Sequence, residues 1–127
     1  RRRFPDLRLV TMGGEVRPDQ VPLMMNAGDC LLMTSDVEGS PNVVKEAMSC
    51  NLPVVSVDVG DVVTRLRDVH PSRIAARNPE ALGEAIVEIL PMNPRSNGRE
   101  VAERELSEKT MVERVLAVYA RVMESRA

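Results

Sequence analysis

This chain of 127 residues is poor in most of the features by which a sequence announces its chemistry. It has two cysteines, Cys30 and Cys50, without C-x-x-C spacing. They read as buried free thiols in a reducing compartment, not as a disulfide framework. It has one histidine, His70, between Val69 and Pro71. No second histidine exists to share a metal, so no metal site and no cofactor are expected. No apolar run approaches the ~20 residues that span a bilayer, and no signal peptide pattern is present. The net charge is only −2, which favours neither nucleic acid nor a membrane surface as a partner. The Arg1-Arg2-Arg3 run is short and terminal, and reads as a solvated end or the stub of a cut element. The sequence contains no G-x-S-x-G, no G-x-x-x-x-G-K-S/T, no H-E-x-x-H and no G-x-G-x-x-G. Nothing repeats at a fixed period.

What is present is ordinary for a globular domain. Apolar residues make up 43% and charged residues 28%. The length suits one domain that buries a core without disulfides or a structural metal. We expect a single partial α/β domain over 1–127, with a core over 7–90 and C-terminal helices over 97–127. The chain opens on Arg-Arg-Arg-Phe-Pro-Asp, without Met, and runs straight into a strand-like segment, which predicts a fragment.

Leu7 to Met12 alternates apolar with polar residues and predicts a strand. Asp19 is placed to cap a helix that carries Pro22 in its first turn and ends before Gly28. Cys30 to Thr34 and Pro53 to Val57 are short apolar runs, as in parallel strands covered on both faces. Between them, Ser40 is expected to cap a helix that begins at Pro41. Val43, Val44, Ala47 and Met48 give that helix its apolar side, and Asn51 its left-handed stop. Asp58 to Asp61 predicts a turn, in which Asp58 ends a strand and Asp61 caps a helix over Val62 to Val69. Arg73 to Ala76 predicts a weaker strand, and Pro79 to Leu90 a helix. A linker over Pro91 to Asn97 leads to two helical pieces. Thr110 and Glu113 form a T-x-x-E capping box for the last one, whose stripe includes Val112, Val115, Leu116, Tyr119, Val122 and Met123. Strands alternating with helices predict a parallel, Rossmann-like sheet with helices on both faces.

Ligands of such sheets bind beyond the carboxyl ends of the strands. Two loops qualify: Ser35 to Asn42, and Asp58 to Val62. In the first, Glu38 and Gly39 lead into a helix N-terminus at Ser40, Pro41, Asn42 and Val43. Unpaired amides and the helix dipole suit a phosphate or a sugar hydroxyl there. Pro41 supplies no N–H, so the donors come from Ser40, Asn42 and Val43. Glu46, one turn on, suits a pair of neighbouring hydroxyls such as a ribose diol. Lys45 reads as a solvent-facing residue.

Glu38 to Met48 resembles the E-x7-E motif of family-4, retaining GT-B glycosyltransferases. Its flanks, Asn26 to Ser35 and Asn51 to Gly60, resemble the strands around that motif, and Pro79 to Leu82 resembles the start of the family's next helix. Ser40-Pro41-Asn42 replaces the aromatic-Gly-Leu run of many relatives. The resemblance implies the C-terminal, nucleotide-sugar-binding domain of a GT-B fold, in part. It implies that Glu38 acts at the donor sugar and that the backbone from Gly39 to Val43 meets sugar and diphosphate. Glu46 would bind the ribose, and Gly60 would line the same cleft. The partners it implies are a nucleoside-diphosphate-sugar, an unassigned acceptor and an N-terminal domain that this chain lacks. It further implies a bacterial, cytoplasmic protein near the inner membrane face, inactive as this fragment alone. The exposed part of the C-terminal stripe would drive self-association. The competing readings are a non-catalytic α/β interaction module, and a GT-B epimerase or phosphorylase.

Overall fold

The centre of the molecule is the segment Val54–Val57, β2, in which every residue is buried. A strand with no polar face can only sit between two covered faces, and the computed structural model, which describes residues 4–92 and 95–125, places it there. It pairs in parallel with Leu31–Met33, β1, on one side and with Arg73–Ala75, β3, on the other. The order β1-β2-β3 is that of a three-stranded parallel Rossmann-like sheet, as expected.

Helices cover both faces. On one face lie Val21–Ala27 (α1), Asn42–Ser49 (α2), Val62–Leu66 (α3) and Gly98–Leu106 (α5). Val44, Ala47 and Met48 of α2 join Val54 and Val57 of β2, Met25 of α1 and Val101 of α5 in the larger core. On the other face Pro79–Ile89, α4, packs Ala85 and Ile89 against Val55. The last helix, Glu108–Glu124 (α6), buries no residue. Two close approaches fix the layers. A side chain at Gly98 would stand 2.8 Å from the Met48 Cα, so α5 lies directly on α2. Asn51 ends α2 at φ 54°, the left-handed stop that its residue type favours. Its Oδ1 then accepts the Arg99 N–H at 2.8 Å.

Several local expectations are corrected. Leu7 to Met12 is not a strand: Leu9 is 79% exposed, and among the described residues the segment makes one backbone hydrogen bond, Leu7 N–H to Phe4 O, and no ladder. Alternation alone does not make a strand without a ladder partner. Asp19 does not cap α1. It pairs with Arg17 at 2.7 Å, and Gln20 holds the cap position. Ser40 is not the cap of α2, which Pro41 precedes, because the Ser40 hydroxyl is engaged elsewhere. The third helix stops at Leu66, short of Val69. For α6 the cap is Ser107, whose Oγ accepts the Thr110 N–H at 3.2 Å, so the T-x-x-E pair is not the capping box. Asn78 caps α4 by accepting from the Ala81 N–H. Both cysteines are free, and burial pushes the Cys30 thiol up to about 11. The Arg1–Arg3 run and the middle of the 91–97 linker lie outside the described residues.

Candidate functional site

Parallel strands deliver their following loops to one edge of the sheet. The loop after β1 and the turn after β2 meet at that edge and are fastened together. Gly60 has φ +55°, a conformation open to glycine and strained for other residues. A Cβ there would run into the Gly39 carbonyl oxygen and lie 2.9 Å from that of Glu38, so the two backbones touch. The next residue ties them: Asp61 N–H donates to Gly39 O at 2.9 Å. The Ser40 hydroxyl donates to Asp61 Oδ2 at 2.7 Å, and Arg65 Nε donates to the same oxygen at 2.7 Å. Burial pushes the Asp61 carboxyl up, but the Ser40 and Arg65 hydrogen bonds, with the charges of Arg65 and Lys45, outweigh it and hold the group below the usual carboxylate range. Its second oxygen, Oδ1, is buried without a partner among the described residues.

Lys45 does not stand off in solvent. It is half-buried, and its Nζ donates to Ser40 O at 3.2 Å and to Asn42 Oδ1 at 3.3 Å. A cation therefore sits beside the N-terminus of α2, where the amides of Asn42 and Val43 have no intrahelical acceptor. Positive charge, free amides and a positive dipole end coincide there, which suits an anionic ligand. The loop is also held from the far side. Arg77, just after β3, donates to Thr34 O at 3.1 Å, to Ser35 O at 2.9 Å and to Asp36 Oδ1 at 2.9 Å.

The structure brings Glu38, Gly39, Ser40 and Gly60 together. Glu38, Gly39 and Ser40 are exposed, Pro41 is buried beneath them, Asn42 is exposed and Val43 is half-buried. A Cβ at Gly39 would meet nothing within 4 Å, so its free side faces open space. Glu46 lies elsewhere. It is exposed and lines a cavity of about 520 Å³ between α1, α2 and α5, with Pro18, Val21, Met25 and Lys45. Glu38 and Gly39 do not line that cavity; Lys45 joins the two places, lining the cavity and bonding to the loop through Nζ. A larger hollow of about 970 Å³ lies between the N-terminal segment, α1, β1 and α4, and includes none of the predicted site residues. No group of three or more potential metal ligands occurs among the described residues.

Sequence reasoning missed three contributors. It placed Asp61 at the cap position of α3, which Asp61 does hold, but without its bonds to the Gly39–Ser40 loop; it left Lys45 in solvent and gave Arg77 no role. Each acts across a gap in sequence or against a backbone oxygen, and no local pattern reports such a bond.

A parallel sheet with helices on both faces and joined loops at its carboxyl edge defines the Rossmann-like class. Within that class the assignment is narrower: a family model described as "Glycosyl transferases group 1" matches residues 2–91, and the chain belongs to that family. It is also similar to the "Putative teichuronic acid biosynthesis glycosyltransferase TuaC" of Bacillus subtilis (strain 168), with 36% identity over 73 residues. That alignment covers 58% of this chain and 19% of the relative, so the chain spans about a fifth of the relative's length. No solved structure matches it. No helix among the described residues is long and apolar enough to cross a membrane.

Proposed function

We propose that this chain is the donor-binding part of a retaining glycosyltransferase of the family-4 kind, using a nucleoside-diphosphate-sugar. The observation that carries the reading is the fastening of the Glu38–Ser40 loop to the Gly60–Asp61 turn at the head of α2, one helical turn from the Glu46 cavity. That geometry supports a division of labour. Glu38, exposed in the loop, accepts hydrogen bonds from hydroxyls of the donor sugar. The amides of Asn42 and Val43 face the diphosphate, with the Lys45 ammonium near them. As the leaving group gains charge, fixed donors of this kind stabilise it without reorganising. Glu46 accepts the two ribose hydroxyls, and the 520 Å³ cavity beside it has room for the nucleoside. Transfer with retention at the anomeric carbon needs no metal in this scheme.

The whole enzyme in this reading has an N-terminal domain that holds the acceptor, and upstream βα units that bring a cationic pair to the diphosphate. The fragment alone is inactive. A cytoplasmic protein acting at the inner membrane face fits a relative named for teichuronic acid biosynthesis. α6 pairs with a second copy of itself through its exposed apolar side chains, Val112, Val115, Leu116, Tyr119, Val122 and Met123.

The test is an NMR titration with UDP, GDP, ADP and their sugars, for this chain and for Glu46→Ala. One nucleotide is expected to shift resonances around α2 selectively, with affinity lowered about tenfold or more in the mutant, the loss of a charge-assisted hydrogen bond. If the intact two-domain protein is silent to every nucleotide, the donor-site reading is wrong.

A further inference from the structure

We propose that Arg77 is a positioning residue for the Glu38 loop, acting with Asp61 as a two-point clamp that leaves Glu38 poised and otherwise unbound. The inference rests on the donor-site reading for its function, and on hydrogen-bond geometry for its structure. β3 is not a neighbour of β1; β2 lies between them. Arg77 therefore reaches across the carboxyl end of β2 to grip the chain as it leaves β1. Its guanidinium is forked, and both arms are used: Nη1 holds Thr34 O and Asp36 Oδ1, and Nη2 holds Ser35 O. Two of those acceptors are backbone carbonyls, so the bonds fix the path of the chain and not merely a side chain. At the other end Asp61 holds Gly39 O through its N–H and the Ser40 hydroxyl through its carboxylate. Between the clamped points lie Val37 and Glu38, for which no hydrogen bond is made among the described residues, and Val37 is 87% exposed.

The ion pair with Asp36 does not explain this arrangement. The Arg77 side chain is 44% exposed and that of Asp36 90%, and exposed ion pairs contribute little to folding. What the fork does supply is order. A free loop would lose backbone freedom on gripping a ligand, and a clamped loop has lost it beforehand. Lysine cannot reproduce it, because one ammonium does not present a planar fork to three acceptors.

The experiment has two arms on the 127-residue chain. The first is backbone 15N relaxation of residues 34–40 in the native protein, Arg77→Ala, Arg77→Lys and a control, Arg73→Ala, whose guanidinium lies on β3 but binds Glu88. Order parameters at Ser35, Asp36, Val37 and Glu38 are expected to fall from rigid-backbone values of about 0.85 to below about 0.6 in Arg77→Ala and less far in Arg77→Lys, with the Arg73→Ala loop unchanged. Unaltered loop order parameters in Arg77→Ala overturn the proposal. The second arm compares UDP with UDP-glucose and GDP with GDP-mannose. Arg77→Ala is expected to weaken the nucleotide-sugar by about three- to tenfold, the cost of ordering one or two residues, while the bare nucleotide is unaffected. A general structural defect would weaken both alike, and that result also overturns the proposal. If neither nucleotide nor nucleotide-sugar binds the native chain while the loop still loosens, the clamp stands and the donor-site reading falls.

Discussion

β2 and α6 are both rich in valine, and the fold treats them in opposite ways. Val54, Val55 and Val57 are at most 1% exposed, whereas Val112, Val115, Val118 and Val122 of α6 are about half exposed. The difference is not in the residues but in what surrounds them. β2 has a strand on each side, α2 on one face and α4 on the other. Among the described residues α6 packs chiefly against α5, and along its 17 residues it buries nothing. Apolar periodicity thus states a demand for burial, and whether the demand is met depends on partners that periodicity does not name. Hydrophobic stabilisation of this molecule resides in the sheet and the helices on it, while α6 is held mainly by its own backbone bonds and the Ser107 cap.

The sharpest way to break that contrast is to truncate one apolar side chain in each region. Ile89→Ala empties a site against Val55 that is fully buried, and should cost about 2–5 kcal/mol in urea unfolding. Leu116→Ala, at a residue 60% exposed, should change stability by no more than about 0.5 kcal/mol. Equal costs would mean that α6 is packed in solution and that the contrast is false.

A second pair separates folding from binding within the site itself. Gly60→Val adds a branched side chain at φ +55° against the Gly39 carbonyl, and should cost about 1–3 kcal/mol from backbone strain, with more from the clash. Gly39→Ala adds a methyl group to open space and should leave the thermal midpoint within a degree or two. If the loop meets a nucleotide-sugar, Gly39→Ala should still weaken its binding. A Gly39→Ala protein that binds the sugar nucleotide normally would show that the Gly39 backbone does not contact it.

The same distinction explains what was legible beforehand. β2 was readable because Val54 to Val57 has no polar face, and α2 because Val44, Ala47 and Met48 fall on one side with Asn51 to stop it. The Gly60 turn and the Pro79 helix were visible from residue types whose backbone preferences are strong. Leu7 to Met12 misleads because alternation is not sufficient: a strand also needs a neighbour. Ser40 misled for a related reason. A serine before Pro-Asn is a good cap in isolation, but Asp61, 21 residues away, offers its hydroxyl a carboxylate. The Glu38 loop was located by its place after a parallel strand, whereas its fastenings to Asp61 and Arg77 are long-range and side-chain-specific. The position of Glu46 on a cavity between α1, α2 and α5 likewise required the packing of three helices.

The smallest effect on stability, and the one most specific to α6, concerns a second copy of the chain. The helix is nearly self-complementary when reversed about Ala117. An antiparallel partner would set Val112 against Val122 and Val115 against Tyr119, flanked by Leu116, while Ala117 faces outward. The b, c and f positions, which include Glu113, Arg114, Arg121 and Glu124, stay on the outside of such a pair. Sedimentation of the chain across a hundredfold range of concentration should therefore show a monomer–dimer equilibrium. Leu116→Glu should shift it toward monomer by about tenfold or more, because a carboxylate would be desolvated at the interface, with urea stability of the monomer unchanged. A monomer at every concentration would remove the dimer and assign the apolar face of α6 to a different partner.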